Sequence, residues 1–240
     1  MSAIHLKDVR FSWLVDELVL DIPELVIQQG EKVFIHGPSG SGKTTLLGLL
    51  GGVLTPSYGA VDVLGSDISC LSPVQRDYFR ARHVGFIFQM FNLIPYLSVV
   101  ENVTLPLRFA NERRQSIMRS GRSQNDEAKR LLSHLGLHEP ELLKRPVTEL
   151  SIGQQQRVAA ARALIGSPDI IIADEPTSAL DTDSREDFIR LLFSECEATG
   201  STLIFVSHDR SLESLFDRQL PLYEINQASQ HTLTAARESL

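Results

Sequence analysis

Val33-Phe34-Ile35-His36-Gly37-Pro38-Ser39-Gly40-Ser41-Gly42-Lys43-Thr44 decides how the rest of the chain is read. An apolar run ends in a glycine-rich loop, and residues 44–50 follow with a helical pattern. Residues 37–44 fit the spacing Gly-x-x-x-x-Gly-Lys-Ser/Thr, and a strand before and a helix after are the context in which that spacing binds phosphate. Glycine lets successive backbone N–H groups converge on an anion without Cβ clashes. The helix N-terminus adds the positive end of its dipole. Gly37, Pro38, Ser39, Gly40, Ser41 and Gly42 are therefore expected to form a phosphate cradle. Lys43 is expected to supply a mobile charge to the β- and γ-phosphates, and the Thr44 hydroxyl to reach Mg²⁺.

Outward from this loop, residues 3–13, 18–28, 32–36, 58–64 and 84–88 read as strands rich in Val, Ile, Leu and Phe. From about residue 91 to 164 the periodicity becomes helical, with an apolar stripe of Leu131, Leu132, Leu135 and Leu137 and an alanine-rich run at 158–164. Residues 111–124 are polar and carry Arg113, Arg114, Arg119 and Arg122. They read as a solvated excursion or exposed helix end, or else as a contact for a partner or for anionic lipid headgroups. Strands are expected again at 169–173 and 202–206, with helices at 182–198 and 211–216, and the tail from Gln227 is polar. Strands alternating with helices predict a parallel sheet covered on both faces.

A second chemical element lies at the end of one of these strands. Ile170-Ile171-Ile172-Ala173-Asp174-Glu175 is an apolar run closed by two carboxylates. At the carboxyl edge of a parallel sheet, where ligands bind, Asp174 would hold Mg²⁺ and Glu175 would polarise an attacking water as general base.

Composition narrows the class. The 240 residues include 23 Lys+Arg and 30 Asp+Glu, a net charge of −7, with 42% hydrophobic and 22% charged residues. Those proportions suit a globular chain and weigh against disorder and against generic nucleic-acid binding. Cys70 and Cys196 form no C-x-x-C pair, so neither a disulfide framework nor a cysteine metal site is expected, and the default is two reduced thiols in the cytosol. The N-terminus lacks a signal-peptide pattern, and no run approaches the ~18 apolar residues of a membrane span.

Leu150-Ser151-Ile152-Gly153-Gln154-Gln155-Gln156-Arg157, upstream of Asp174-Glu175, resembles the signature motif of the nucleotide-binding subunits of ATP-binding cassette (ABC) transporters. Other elements match that family in order. Gln89 corresponds to the glutamine that senses Mg²⁺ and the transmembrane partner. Ser178-Ala179-Leu180-Asp181 resembles the loop that crosses the dimer interface, and His208 resembles the switch histidine that bonds the γ-phosphate. Trp13 falls where the family stacks an aromatic ring on adenine, while Phe11 reads as an inward strand residue. Ser151 can cap its helix and leave the N-terminus facing phosphate.

The resemblance covers residues 3–224 and implies an α/β P-loop NTPase (RecA-like) parallel-sheet core, with an N-terminal antiparallel β subdomain and an inserted α-helical subdomain. As one ABC ATPase domain over residues 1–240, it would place the β subdomain and first part of the core at 1–90. The helical subdomain would occupy 91–165, the second part of the core 166–224 and a polar tail 225–240. It implies ATP contacts from residues 37–45, Thr45 included, and from Ser151, Gly153 and Gln154 of a second copy that sandwiches the nucleotide. Thr44, Gln89 and Asp174 would serve Mg²⁺, and Glu175, His208 and Lys43 would be catalytic. The departure is Ile152, where the family has glycine; a β-branched residue there is expected to weaken or slow closure.

Within the family, Gly85-Phe86-Ile87-Phe88-Gln89-Met90-Phe91-Asn92-Leu93-Ile94-Pro95 and Glu101-Asn102-Val103-Thr104-Leu105-Pro106-Leu107 resemble the branch of lipoprotein-releasing, macrolide-export and cell-division cassettes. That implies a separate integral membrane permease as partner and a peripheral position on the cytoplasmic face of the inner membrane; from the acidic balance, no nucleic-acid partner is expected. The competing expectations are a non-hydrolysing cell-division scaffold, against which Glu175 and His208 stand, and a soluble regulatory or repair ABC protein without a permease, against which the single cassette without a long coiled-coil or zinc-hook insertion stands.

Overall fold

The computed structural model describes residues 1–14, 17–178, 180 and 182–228. Along the chain run β1 (Ser2–Ser12), β2 (Leu18–Gln28), β3 (Lys32–His36), α1 (Lys43–Leu50), β4 (Tyr58–Val63) and β5 (Ser66–Asp67). Next come α2 (Pro73–His83), β6 (Val84–Ile87), α3 (Val99–Thr104), α4 (Asn111–Arg119), α5 (Gln124–His134) and α6 (Ile152–Leu164). They are followed by β7 (Ile170–Asp174), α7 (Thr182–Thr199), β8 (Thr202–Val206), β9 (Arg218–Pro221) and α8 (Leu222–Ile225). The described residues form two compact units, those within 1–77 together with 204–228, and those within 78–203.

In the first unit an antiparallel sheet has the order β2-β1-β4-β5. Its inner face is set by alternation: Ile4, Leu6, Val9 and Phe11 are buried while Lys7 and Arg10 are exposed. Cross-strand pairs of large apolar residues hold the register, Ile4 opposite Ile27 and Val63, and Leu6 opposite Leu25 and Val61. The ladder slips between Lys7 and Arg10, where Asp8 takes φ +50°. Gly59 crosses that irregularity at φ +86°, and a Cβ there would sit 2.3 Å from the Asp8 carbonyl oxygen, so only glycine fits.

The same unit holds β8, β3 and β9 in that order, with β3 parallel to β9. Val33, Phe34 and Ile35 are all solvent-free, as a strand covered on both faces requires. Phe34, Phe205 and Phe216 stack around β3 with ring centroids 5.1–6.0 Å apart. In the second unit β6 neighbours β7, and the two pair in parallel from Val84–Ile170 to Ile87–Ala173. The α/β class with parallel strands, an N-terminal antiparallel sheet and a helical insertion is the architecture observed.

Two expectations change. Residues 211–216, read as a helix, form a 3-10 turn over Arg210–Leu215, capped by Asp209 accepting from Ser211 N. The polar segment 111–124 is not simply solvated. It contains α4, whose Ile117 and Arg113 are buried while Arg114, Arg119 and Arg122 stay exposed. The strands β5 and β9 and the helices α2 and α8 were not anticipated. The leucine stripe of residues 131–137 and the alanine run of α6 are buried as expected.

Candidate functional site

Strand β3 delivers the chain straight into the glycine loop of the first unit. Gly40 and Gly42 adopt φ +76° and +96°. At Gly42 a Cβ would lie 2.8 Å from Leu20 Cδ2, so both conformation and space demand glycine there, whereas Gly40 faces open space. Ser41 N donates to the Pro38 carbonyl at 3.2 Å, closing the loop's turn. Lys43 Nζ donates to the carbonyls of Gly37 (2.8 Å) and Pro38 (2.9 Å), so the ammonium lies over the loop. Helix α1 begins at Lys43 with Gly42 as N-cap and no side-chain cap, so no capping side chain competes for its leading N–H groups. Ser39 and Thr44 are exposed and Thr45 is buried.

Also in this unit, Ser207 N donates to the Ile35 carbonyl at 3.2 Å, which ties the end of β8 to β3. His208, exposed, follows directly. Trp13 is 61% exposed beyond the end of β1, and its ring meets Phe11 edge-on at 4.9 Å, while Phe11 points inward. The first unit thus brings together the strand ends that carry the phosphate loop and His208.

The second unit gathers the other candidates. Because Ile87 pairs with Ala173 in parallel, Gln89 and Asp174 leave the same edge of the β6–β7 pair. Gln89 is exposed, and Asp174 and Glu175 are half-buried. Glu175 holds φ +47°, a left-handed conformation uncommon for a side chain of its size, and its carbonyl accepts from Ser178 N at 3.3 Å. Helix α6 starts with a full capping box. Ser151 Oγ accepts from Gln154 N (3.3 Å), and Gln154 Oε1 accepts from Ser151 N (2.9 Å). Ser151 thereby uses its hydroxyl as acceptor and keeps its own proton to donate. Ile152 projects outward, 56% exposed, and a Cβ on Gly153 would touch Leu180 Cδ2 at 3.4 Å. Of the expected interface loop, Ala179 and Asp181 lie outside the described residues.

Supporting residues were not foreseen. Arg162, 9% exposed on α6, donates from Nη1 to the Asn92 carbonyl (2.6 Å) and from Nη2 to that of Phe91 (2.5 Å). Burial pushes its guanidinium below the usual arginine range. Arg113, 4% exposed, donates to the carbonyls of Ile165 (2.9 Å), Ala163 (3.0 Å) and Ala81 (3.3 Å), and burial pushes it down to about 10. It is still charged at neutral pH. In the first unit Asn226 Nδ2 donates to Val19 (2.9 Å) and Ser41 (3.4 Å) carbonyls, while its Oδ1 accepts from Asp21 N (2.9 Å), bracing the loop against β2. A lone arginine inside the run Ala160-Ala161-Arg162-Ala163 was the one available sequence signal.

Residues 20–178 match the family model described as ABC transporter. The chain is 42% identical over 228 residues to the lipoprotein-releasing system ATP-binding protein LolD of Psychrobacter arcticus, covering 92% of this chain and 96% of that protein. It is 41% identical over 217 residues to the macrolide export ATP-binding/permease protein MacB of Syntrophobacter fumaroxidans; the match covers 88% of this chain but spans only 29% of that relative. Among solved structures, the dimeric bacterial ABC transporter cassette MJ0796 superposes with a TM-score of 0.78 at 36% identity, covering 91% of this chain and 94% of that one. A second dimeric structure of that cassette, in a post-hydrolysis state bound to ADP and Pi, fits with the same TM-score.

Proposed function

The chain belongs to the ABC transporter family, as an ATP-binding, ATP-hydrolysing cassette of the LolD and MacB branch, and from that premise we propose how its residues work and what they drive. The observation that carries the reading is the glycine cradle at the end of β3, with Gly40 and Gly42 left-handed, α1 uncapped and Lys43 lying over the loop. Backbone N–H groups of residues 37–45 and Lys43 hold the phosphates of ATP. Trp13, exposed and propped by Phe11, offers its face to adenine. Thr44, Gln89 and Asp174 would serve Mg²⁺: each carries a side-chain oxygen, the donor a hard cation takes, so their chemistry suits the ion. When bound, Mg²⁺ neutralises charge on the β- and γ-phosphates. Glu175 accepts a proton from the attacking water, and His208 bonds the γ-phosphate and keeps that water in line. Ser151, Gly153 and Gln154 act on the ATP held by a second copy of the chain.

Closure of two copies around two ATP molecules drives a separate membrane permease from the cytoplasmic face of the inner membrane, for export, lipoprotein release or transmission of force. Among the described residues no helix is long and apolar enough to cross a membrane, which fits a peripheral subunit. Glu175→Gln should bind ATP, sediment as a dimer with ATP, and hydrolyse about 10²-fold more slowly or worse. Phosphate release at the unchanged rate would remove Glu175 from the proposed role.

A further inference from the structure

We propose that Arg162 is a positioning residue for Gln89, its guanidinium fixing the loop that follows β6 from the far end of the helix that Ser151 begins. The inference rests on the reading of Gln89 as a residue that serves Mg²⁺.

The loop after β6 is held in an unusual way. Phe91 and Asn92, two and three residues beyond Gln89, are consecutive non-glycine residues with φ +58° and +49°. Asparagine visits that region with some ease, but a phenylalanine there is a genuine outlier. Phe91 N donates to the Phe88 carbonyl (2.9 Å) and Asn92 N to that of Met90 (2.6 Å), so the loop turns tightly on itself around Gln89. The two strained residues present their carbonyls side by side, and both accept from the Arg162 fork at 2.6 and 2.5 Å.

Arg162 carries a cost of its own. It is nearly enclosed and, among the described residues, makes no ion pair with a carboxylate. A buried charge compensated only by two carbonyl dipoles, at the point where the backbone is strained twice, is a combination that packing alone would not keep. Each feature accounts for the other: the left-handed pair aims two carbonyls at one point, and a planar fork is the side chain that takes both. Lysine, with a single ammonium on a flexible stem, cannot reproduce the paired geometry. Arg162 lies eleven residues past Ser151 on α6, so the loop of Gln89 and the cap of the signature helix are joined through one rigid rod of about 16 Å.

The test compares the full chain with Arg162→Lys and Gln89→Ala by amide hydrogen exchange over residues 88–93 and by the Mg²⁺ dependence of ATP hydrolysis. Arg162→Lys should lose exchange protection at Phe91 and Asn92, and raise the Mg²⁺ concentration for half-maximal turnover about 10-fold, as Gln89→Ala should. Its affinity for a fluorescent ATP analogue without Mg²⁺ should stay unchanged. Should the lysine variant not fold, Arg162→Gln, neutral and planar, takes its place under the same criteria. Unchanged exchange overturns the inference. So does loosened exchange with normal Mg²⁺ dependence while Gln89→Ala shifts it. If Gln89→Ala leaves the Mg²⁺ dependence unchanged, the reading of Gln89 itself fails and the inference fails with it, whatever the exchange shows.

Discussion

Arg113 shows what one residue contributes when its side chain turns inward. Its guanidinium supplies donors to the carbonyls that end α6, groups that a helix terminus otherwise leaves without partners. Gly166 makes room for it: a Cβ there would lie 2.8 Å from Arg113 Cβ. Arg113→Ala strips those carbonyls in a buried site and should cost about 2–4 kcal/mol, or roughly 5–15 °C in Tm for a chain this size. Arg113→Lys should recover little of that, because a point charge cannot span several carbonyls. A change under about 2 °C by circular dichroism would refute the assignment. Ile152 is the opposite case, an apolar side chain projecting from the first turn of α6. Ile152→Gly should raise turnover or ATP-dependent dimer affinity about 3-fold, roughly 0.7 kcal/mol; if neither moves, the steric reading of that position is wrong. Residues such as Lys43 and Asp174 could be singled out from the sequence because their chemistry depends on neighbours a few positions away. Arg113 could not, because its partners lie up to fifty-two positions away, as far as Ile165.

At the scale of elements, α6 is the clearest match between local code and structure. Ser151-Ile152-Gly153-Gln154 spells a capping box, and both reciprocal bonds form. Ser151→Ala should lower stability by about 1 kcal/mol, or roughly 2–4 °C, while Ser151→Thr should hold it. Thermal melts of the two variants check this before any nucleotide is added. Strands β2 and β3 span residues 18–28 and 32–36, the bounds expected from the sequence. Helix α4 was harder to read, since only Arg113 and Ile117 of its nine residues turn inward and composition therefore favours solvent. The 3-10 turn at Arg210–Leu215 resembles a helix in sequence for a similar reason: an Asp-capped 3-10 turn and a helix start share the same first residues.

At the scale of the whole molecule, a charge network in the second unit bears on its response to pH. Glu195, 2% exposed, faces Arg130 at 3.0 Å and bonds His134, and Arg130 also bonds Glu127 at 2.8 Å, which takes Arg122 at 2.7 Å. Burial alone would raise the Glu195 carboxyl, but the bonds and charges of Arg130 and His134 outweigh it and hold it below its ordinary value. A depressed carboxyl contributes stability that is complete above the unfolded value near 4.3 and is lost as pH falls through the folded one. Melting temperature should therefore fall from about pH 5 downward. Glu195→Gln should be less stable at pH 7 by about 1–3 kcal/mol and show a flatter acid limb in a pH series of thermal melts. An equally steep limb in that variant would place the acid lability elsewhere. The amino-acid sequence by itself determined which residues are proposed for the chemistry, the glycine loop, the two carboxylates and the capping box of α6, because each is written in residues a few positions apart. Only the tertiary structure decided what holds those parts in place: Arg113 under α6, Arg162 on the Phe91–Asn92 carbonyls and Asn226 behind the loop. Each of these is a buried polar side chain whose partners are backbone groups far along the chain, and a backbone group has no letter in a sequence.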